Sequence, residues 1–304
     1  MKMEHIIESQ QFDHKTIAHI FRVADRLAQH RTPILHGKIL ASLFYEPSTR
    51  TRFSFESAMV RLGGSVITTE NAQEFSSAAK GETLEDTIRV VNHYADVIVL
   101  RHFEEGAAKR ASLASRIPVI NAGDGTGQHP TQALLDLYTI QQELGRIDGI
   151  AIAFVGDLKN GRTVRSLAYL LGKYKNMRIF FVSPRQLRIG NDIREYLDRH
   201  HVSYRELVAW DPVLKIIDVL YQTRIQKERF KNAKEYKKLK GRFVLTREEV
   251  NKMKEKSIVM HPLPRVDEIA EEVDASPRAV YFQQARYGLL IRMAILKMLL
   301  AGKS

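Results

Sequence analysis

KILASLFYEPSTRTRFSFESAMVRLGGSVITT, residues 38–69, decides the fold. Its first seven residues form the short apolar run expected of a strand buried on both faces, and SVITT from Ser65 is a second such run. Between them Phe55, Ala58, Met59 and Leu62 keep helical spacing, and Gly63 and Gly64 supply a stop. Strand, helix and strand at these lengths specify a parallel pair joined by a crossover helix.

The same rhythm continues along the chain. DVIVL from Asp96 and IPVIN from Ile117 read as buried parallel strands, each followed by a helix-sized segment. A long helix then runs from Pro130 to about Leu144. Proline suits its first position, and Leu134, Leu137 and Tyr138 share one face. After it the pattern restarts with IAIAFVG at 150, MRIFFVS at 177, IIDVLY at 216 and SIVMHP at 257. The expected fold is therefore α/β, with two doubly wound parallel-sheet domains joined by helices. A last helix, from about Ala285 to Ala301, is rich in Leu, Ile and Met and can pack on either domain. KERFKNAKEYKKLKGR, residues 227–242, is strongly basic and reads as a mobile surface stretch.

Composition narrows the classes of function. The 304 residues, 44% hydrophobic, suffice for two domains at roughly 100 to 200 residues each. The formal charge of +12 is uneven: residues 1–150 carry 16 Lys+Arg against 18 Asp+Glu, and residues 151–304 carry 31 against 17. The first half is thus at −2 and the second at +14, which suits either nucleic acid or small anions as partners. The chain has no cysteine, so it offers no disulfide, thiolate nucleophile or cysteine-ligated zinc. Its first residues lack a signal peptide's apolar core, and no stretch approaches the roughly 18 to 20 apolar residues that span a bilayer. A soluble cytoplasmic protein, with no membrane partner, is the expectation.

Arg50 and Arg52 lie in the first turn of the helix that follows the first strand, where the macrodipole and outward N–H groups favour anions over cations. Ser48 and Thr49 are candidate N-caps there. Glu56, four residues after Arg52, provides it with a local partner. Arg50 has no such partner in register and sits at the carboxyl end of a parallel strand, where open α/β sheets bind ligands; a phosphate fits it. A second position of this type is AFVGDLKNGRTVRSL, residues 153–167. Gly156 to Thr163 falls one residue short of a nucleotide-binding P-loop, and Arg162 replaces its lysine with a planar fork suited to a carboxylate. In NAGDGTGQHPTQ, residues 121–132, three glycines allow close backbone approach to a ligand. His129 follows at a helix N-terminus, which keeps an imidazole neutral and able to donate an N–H to a carbonyl oxygen. His261, among prolines, reads as a residue that orders a loop. Ser76 and Lys80 read as polar loop residues.

STRTR at 48, KGETLEDT at 80, RH at 101, HPTQ at 129, VGDLKNGRTV at 155, TRIQKER at 223 and HPLPRVDEI at 261 together resemble the catalytic chains of the aspartate carbamoyltransferases. The match runs in order over nearly the whole chain. The related ornithine carbamoyltransferases carry H-P-C-Q and H-C-L-P where this chain has HPTQ and HPLP, and a chain without cysteine does not fit that branch. The resemblance implies a carbamoyl phosphate-binding domain over residues 1–130 plus 287–304, and an aspartate-binding domain over 131–286. The C-terminal helix would return to the first. It further implies a homotrimer with sites shared between subunits, allows a separate regulatory chain, and needs neither metal nor cofactor.

By that resemblance Ser48, Thr49, Arg50 and Thr51 hold the phosphate, with Arg101, His129 and Gln132 around the carbamoyl group. Arg162, Arg224 and Gln226 hold aspartate, and the backbone at Leu263 and Pro264 contacts the carbamoyl end. Ser76 and Lys80 enter from the neighbouring subunit, Lys80 adding positive potential and also facing aspartate. Transfer of a carbamoyl group to the amine of aspartate, an early step of pyrimidine biosynthesis, is the implied activity. Two departures are local: Arg165 stands where histidine is expected, and QQARYG, residues 283–288, has Arg and Tyr where small or polar residues are usual. Transfer to another amino acid such as ornithine, and non-catalytic binding of phosphate or nucleic acid, are the alternatives. No aromatic-interleaved basic patch supports nucleic acid.

Overall fold

The computed structural model describes residues 4–30, 32–71, 81–230 and 232–301. Its contacts divide the chain into two compact units, one comprising residues up to Leu135 and from Arg286 onward, the other Asp136–Ala285.

The first unit holds a four-stranded sheet built from β1 (Ile39–Phe44), β2 (Ser65–Glu70), β3 (Val97–His102) and β4 (Val119–Asp124), in the order β2-β1-β3-β4. Every pairing is parallel. Helices α1 (His14–Gln29), α2 (Thr49–Arg61), α3 (Leu84–Val91) and α4 (Ala107–Ala114) accompany it. The opening stretch is β1, α2 and β2. Its glycine stop is a Schellman ending: the Gly63 N–H bonds the Val60 carbonyl at 3.0 Å and the Gly64 N–H bonds that of Met59 at 3.1 Å. Gly63 has φ +86°, and a Cβ there would stand 2.8 Å from the Pro33 Cβ, so only glycine fits. Ala41, Leu43, Ile98, Leu100 and Val119 of the sheet pack with Leu84, Ile88, Ala107 and Ala111 of the helices as one core.

The second unit holds β5 (Ala151–Val155), β6 (Arg178–Val182), β7 (Ser203–Leu207), β8 (Val219–Gln222) and β9 (Ile258–Met260) in the order β7-β6-β5-β8-β9, all parallel. Its helices are α6 (Arg162–Leu171), α7 (Asn191–Arg199), α8 (Asp211–Leu214), α9 (Ala233–Leu239) and α10 (Arg247–Lys252). The dividing lines between the units fall within α5 (Pro130–Leu144) and α11 (Tyr281–Leu300). α5 is buried on all sides from Pro130 to Ile140, although Thr131, Gln132, Asp136 and Thr139 interrupt its apolar residues. From Arg286 onward α11 belongs with the first unit, where the Arg292 guanidinium lies 5.0 Å from the Phe55 ring centre.

Two strands differ from the sequence expectation. β2, read from its apolar run as buried on both faces, lies at the sheet edge and has no buried residue, with Ile67 exposed. β7, SYREL, is an edge strand with no fully buried residue and hence no apolar run to betray it. The basic stretch after Gln226 lies largely at the surface, as its charge implies, and contains a 3-10 turn at Lys227–Arg229 and then α9, with Leu239 buried and the Phe230 and Tyr236 rings 5.8 Å apart. These apolar residues, spaced among lysines, anchor a segment whose charge alone suggests solvation.

Both sheets reverse winding direction once. β1 has β2 on one side and β3 on the other, and β5 has β6 on one side and β8 on the other. Crevices at the carboxyl ends of such strand pairs are where open α/β sheets take ligands.

Candidate active site

In the first unit the switch point brings together α2, Arg101 and the loop leading to His129. Ser48 occupies the N-cap position of α2 but its hydroxyl makes no capping bond, so the N–H groups of the first turn point outward. Thr49 and Arg50 are exposed and Thr51 is buried. The two arginines of this turn separate cleanly. Arg52 is anchored by Glu70 at 2.9 Å and Glu56 at 3.8 Å, the local pairing expected of it. Arg50 makes no ion pair or side-chain hydrogen bond with the described residues, and desolvation by the surrounding protein, on the side of the side chain that is covered, lowers its pKa from the usual arginine value.

Register places Arg101 beside Phe44 at the end of β1, and its backbone carbonyl takes the Tyr45 N–H at 2.9 Å. Its guanidinium lies 3.4 Å from the Glu46 carboxylate. Neighbouring His102 accepts the Glu104 N–H on Nδ1 at 3.0 Å and stacks on Phe103 with ring centres 4.3 Å apart, which fixes the strand end beyond Arg101.

The loop after β4 is organised by Asp124. Its carboxylate accepts the N–H of Gly106 at 3.0 Å, the N–H of Gln128 at 3.1 Å and the Asn121 amide at 3.1 Å, and its carbonyl takes the Gly127 N–H at 2.8 Å. Gly125 has φ +48° and no room for a Cβ, which would stand 2.7 Å from the Glu105 nitrogen. This turn delivers His129, buried, to the N-terminus of α5, where its carbonyl accepts the N–H groups of Gln132 at 3.0 Å and Ala133 at 3.1 Å. Gln132 is buried one turn along.

In the second unit the corresponding place is the carboxyl end of β5, β8 and β9. Gly156, at φ +117°, ends β5 so close to β8 that a Cβ would lie 2.3 Å from the Thr223 carbonyl oxygen. Asp157, fully buried, accepts the Asn160 backbone N–H at 3.0 Å and its amide at 3.0 and 3.1 Å, and also a backbone bond from Gln226. Burial raises its pKa against those bonds and the pull of Arg229. Asp157 thus ties the turn before Arg162 to the turn holding Arg224 and Gln226, and the Gln226 side-chain amide adds a bond to the Asn160 carbonyl at 3.3 Å. Arg162 opens α6, while Arg224 and Gln226 follow β8 directly.

Leu263 and Pro264 follow β9. His261 shapes their loop: its Nδ1 accepts the Leu263 N–H at 2.7 Å, so the proton sits on Nε2, which faces Glu268 at 2.8 Å. Leu263 takes a left-handed φ of +55°. His261 orders this loop, as its surroundings in the sequence suggest. Arg165 is held by Asp192 on α7, which also takes a bond from the Tyr169 hydroxyl at 3.1 Å. Its departure from pattern is answered within that helix pair. Ser76 and Lys80 lie outside the described residues, and among those described no cluster of His, Asp and Glu could hold a metal ion.

Two parallel-sheet units, each presenting arginines and helix N-termini at a strand switch point, define an α/β protein built to take small anions. The chain belongs to the aspartate/ornithine carbamoyltransferase family: the family's carbamoyl-P binding domain matches residues 4–142 and its Asp/Orn binding domain residues 148–299. It is 57% identical to aspartate carbamoyltransferase 3, chloroplastic, of Pisum sativum over 99% of this chain and 78% of that one. It is 55% identical to the aspartate carbamoyltransferase catalytic subunit of Methanocaldococcus jannaschii over 98% of each. A solved structure of the M. jannaschii aspartate transcarbamoylase catalytic subunit superposes with a TM-score of 0.91 at 53% identity, covering 99% of this chain and 100% of that one. The Trypanosoma cruzi aspartate transcarbamoylase, solved with carbamoyl phosphate and aspartate, superposes with a TM-score of 0.93 at 43% identity, covering 98% and 97%.

Proposed function

We infer that this protein is an enzyme that transfers the carbamoyl group of carbamoyl phosphate to the amino group of L-aspartate, giving N-carbamoyl-L-aspartate and phosphate. The observation that carries the reading is Arg50, a cation without a protein counter-charge among the described residues, at the positive end of α2. The charge it lacks is that of a phosphate. Relatives named as aspartate carbamoyltransferases, matched over essentially the whole chain, favour aspartate over ornithine as acceptor.

In the proposed mechanism Ser48, Thr49, Arg50 and Thr51 grip the phosphate through side chains and first-turn N–H groups. The neutral amine of aspartate attacks the carbamoyl carbon and the carbonyl electron pair moves onto oxygen. Arg101, His129 and Thr51 stabilise that oxyanion. Gln132 and the backbone at Leu263 and Pro264 orient the carbamoyl end. Collapse of the tetrahedral intermediate breaks the bond between the carbamoyl carbon and the phosphate oxygen; the phosphate group is itself a candidate acceptor for the amine proton, leaving as the hydrogen phosphate dianion, and Arg50 stabilises the negative charge that builds on it. No protein nucleophile is required, and positioning supplies much of the rate. Arg162 and Arg224 clamp the two carboxylates of aspartate, with Gln226 beside them.

The active assembly proposed is a homotrimer in which Ser76 and Lys80 act on the neighbouring subunit's substrates. Phe53 and Val60 on α2 and Ile67 on the edge strand β2, all exposed in the isolated chain, support an interface there. A cytoplasmic location belongs to the same proposal; among the described residues no helix is long and apolar enough to cross a membrane. The test is calorimetric binding of carbamoyl phosphate to wild type and to Arg50→Ala. Loss of binding in the variant supports the assignment, and equal affinity contradicts it.

A further inference from the structure

α5 carries an acid where an all-buried helix ought to be apolar. Asp136 is fully buried, and its two oxygens accept from two different elements: the Tyr221 hydroxyl of β8 at 2.7 Å and the Gln284 amide of α11 at 2.6 Å. Both bonds extend further. Thr163, next to Arg162, bonds the Tyr221 oxygen, and since Tyr221 donates to Asp136 the threonine hydroxyl is the donor. The Gln284 carbonyl oxygen accepts the His261 N–H at 3.0 Å, and His261 in turn accepts from Leu263. A backbone N–H can only donate, which fixes the Gln284 amide with its NH2 toward Asp136. Both neighbours therefore donate, one to each oxygen of the carboxyl group.

We propose that Asp136 is a positioning residue for the aspartate subsite. Its carboxylate is the end point of two hydrogen-bond arms: one reaches the Arg162–Thr163 helix start and β8 just before Arg224, the elements proposed to hold aspartate, and the other reaches the backbone of His261, at the start of the loop proposed to meet the carbamoyl end. Donors in both arms point toward it: Thr163 to Tyr221 to Asp136 on one side, and the His261 backbone N–H to Gln284 to Asp136 on the other, so within each arm one bond polarises the next. The inference rests on the reading of this unit as the aspartate-binding one.

The test is steady-state kinetics of wild type, Asp136→Asn and Tyr221→Phe with aspartate varied at saturating carbamoyl phosphate. Calorimetric binding of inorganic phosphate and a thermal melt accompany it. The amide introduced by Asp136→Asn would place an NH2 against one of two donors, so the aspartate KM is expected to rise about tenfold or more, and severalfold for Tyr221→Phe. Phosphate affinity should stay within about twofold of wild type, because the Ser48–Thr51 turn proposed to grip phosphate belongs to α2 rather than α5. Folded variants with an unchanged aspartate KM, or with both ligands weakened alike, overturn the inference. If Asp136→Asn does not fold, Tyr221→Phe, which removes one hydroxyl, decides. A wild type inactive in this assay instead overturns the functional reading and, with it, this one.

Discussion

At the scale of single residues, the telling contrast is between Arg50 and Arg52, two side chains of one turn with opposite roles. Arg52 is neutralised by Glu70 and Glu56 and belongs to the scaffold. Arg50, with no such partner among the described residues, is the one proposed to take the phosphate. Arg50→Ala is therefore expected to lower kcat/KM by at least about 10³-fold, since it removes a charge that binds and then stabilises the leaving phosphate. The melting temperature should hardly move; retained activity would refute the role. Glu268 yields a pH prediction of known sign. Desolvation pushes its pKa up, but the bonds from His261 and the Val266 backbone outweigh it and hold the carboxyl below its usual 4.5. A folded-state pKa below the unfolded one contributes stability that is present above about pH 4.5 and fades as pH falls through the folded value. Wild type should thus out-melt Glu268→Gln at neutral pH, with the gap closing under acid; a gap independent of pH would contradict the ionised pairing.

At the scale of elements, the ends of β5 and β8 meet so tightly at Gly156 that the site depends on one missing Cβ. Gly156→Ala should cost about 2 kcal/mol or more in stability from the forced φ and the clash with Thr223, and should raise the aspartate KM. An unaltered urea midpoint would show that the strands yield. The elements also show what the sequence could disclose. Eight strands and α5 are legible because apolar runs and helical spacing are local signals, and the places of Arg50 and His129 are legible because they fall just after such runs. β7 is not, because its residues are polar or only partly covered. Asp124, Asp157 and Asp136 organise the binding loops through partners up to 148 residues away, a fact of topology rather than of local pattern. Asp124 and Asp157 stand inside motifs chosen for their neighbours, and Asp136 shows only as one acid inside ALLDLYTI.

At the scale of the whole molecule, the uneven charge acquires a meaning. The more basic half is the one proposed to take a dicarboxylate, and a positive field raises the local concentration of such a substrate. The proposed sharing of Lys80 across subunits makes a prediction at this scale. Mixing inactive Lys80→Ala chains with inactive His129→Ala chains under conditions of subunit exchange should restore part of the activity; no recovery despite demonstrated exchange would rule out a shared site. The most direct measurement for the account is carbamoyl transfer from carbamoyl phosphate, with aspartate and ornithine offered side by side and no metal added. The account predicts N-carbamoyl-L-aspartate as the product, with ornithine left unmodified. Citrulline as the main product, or no product from either acceptor, would contradict it.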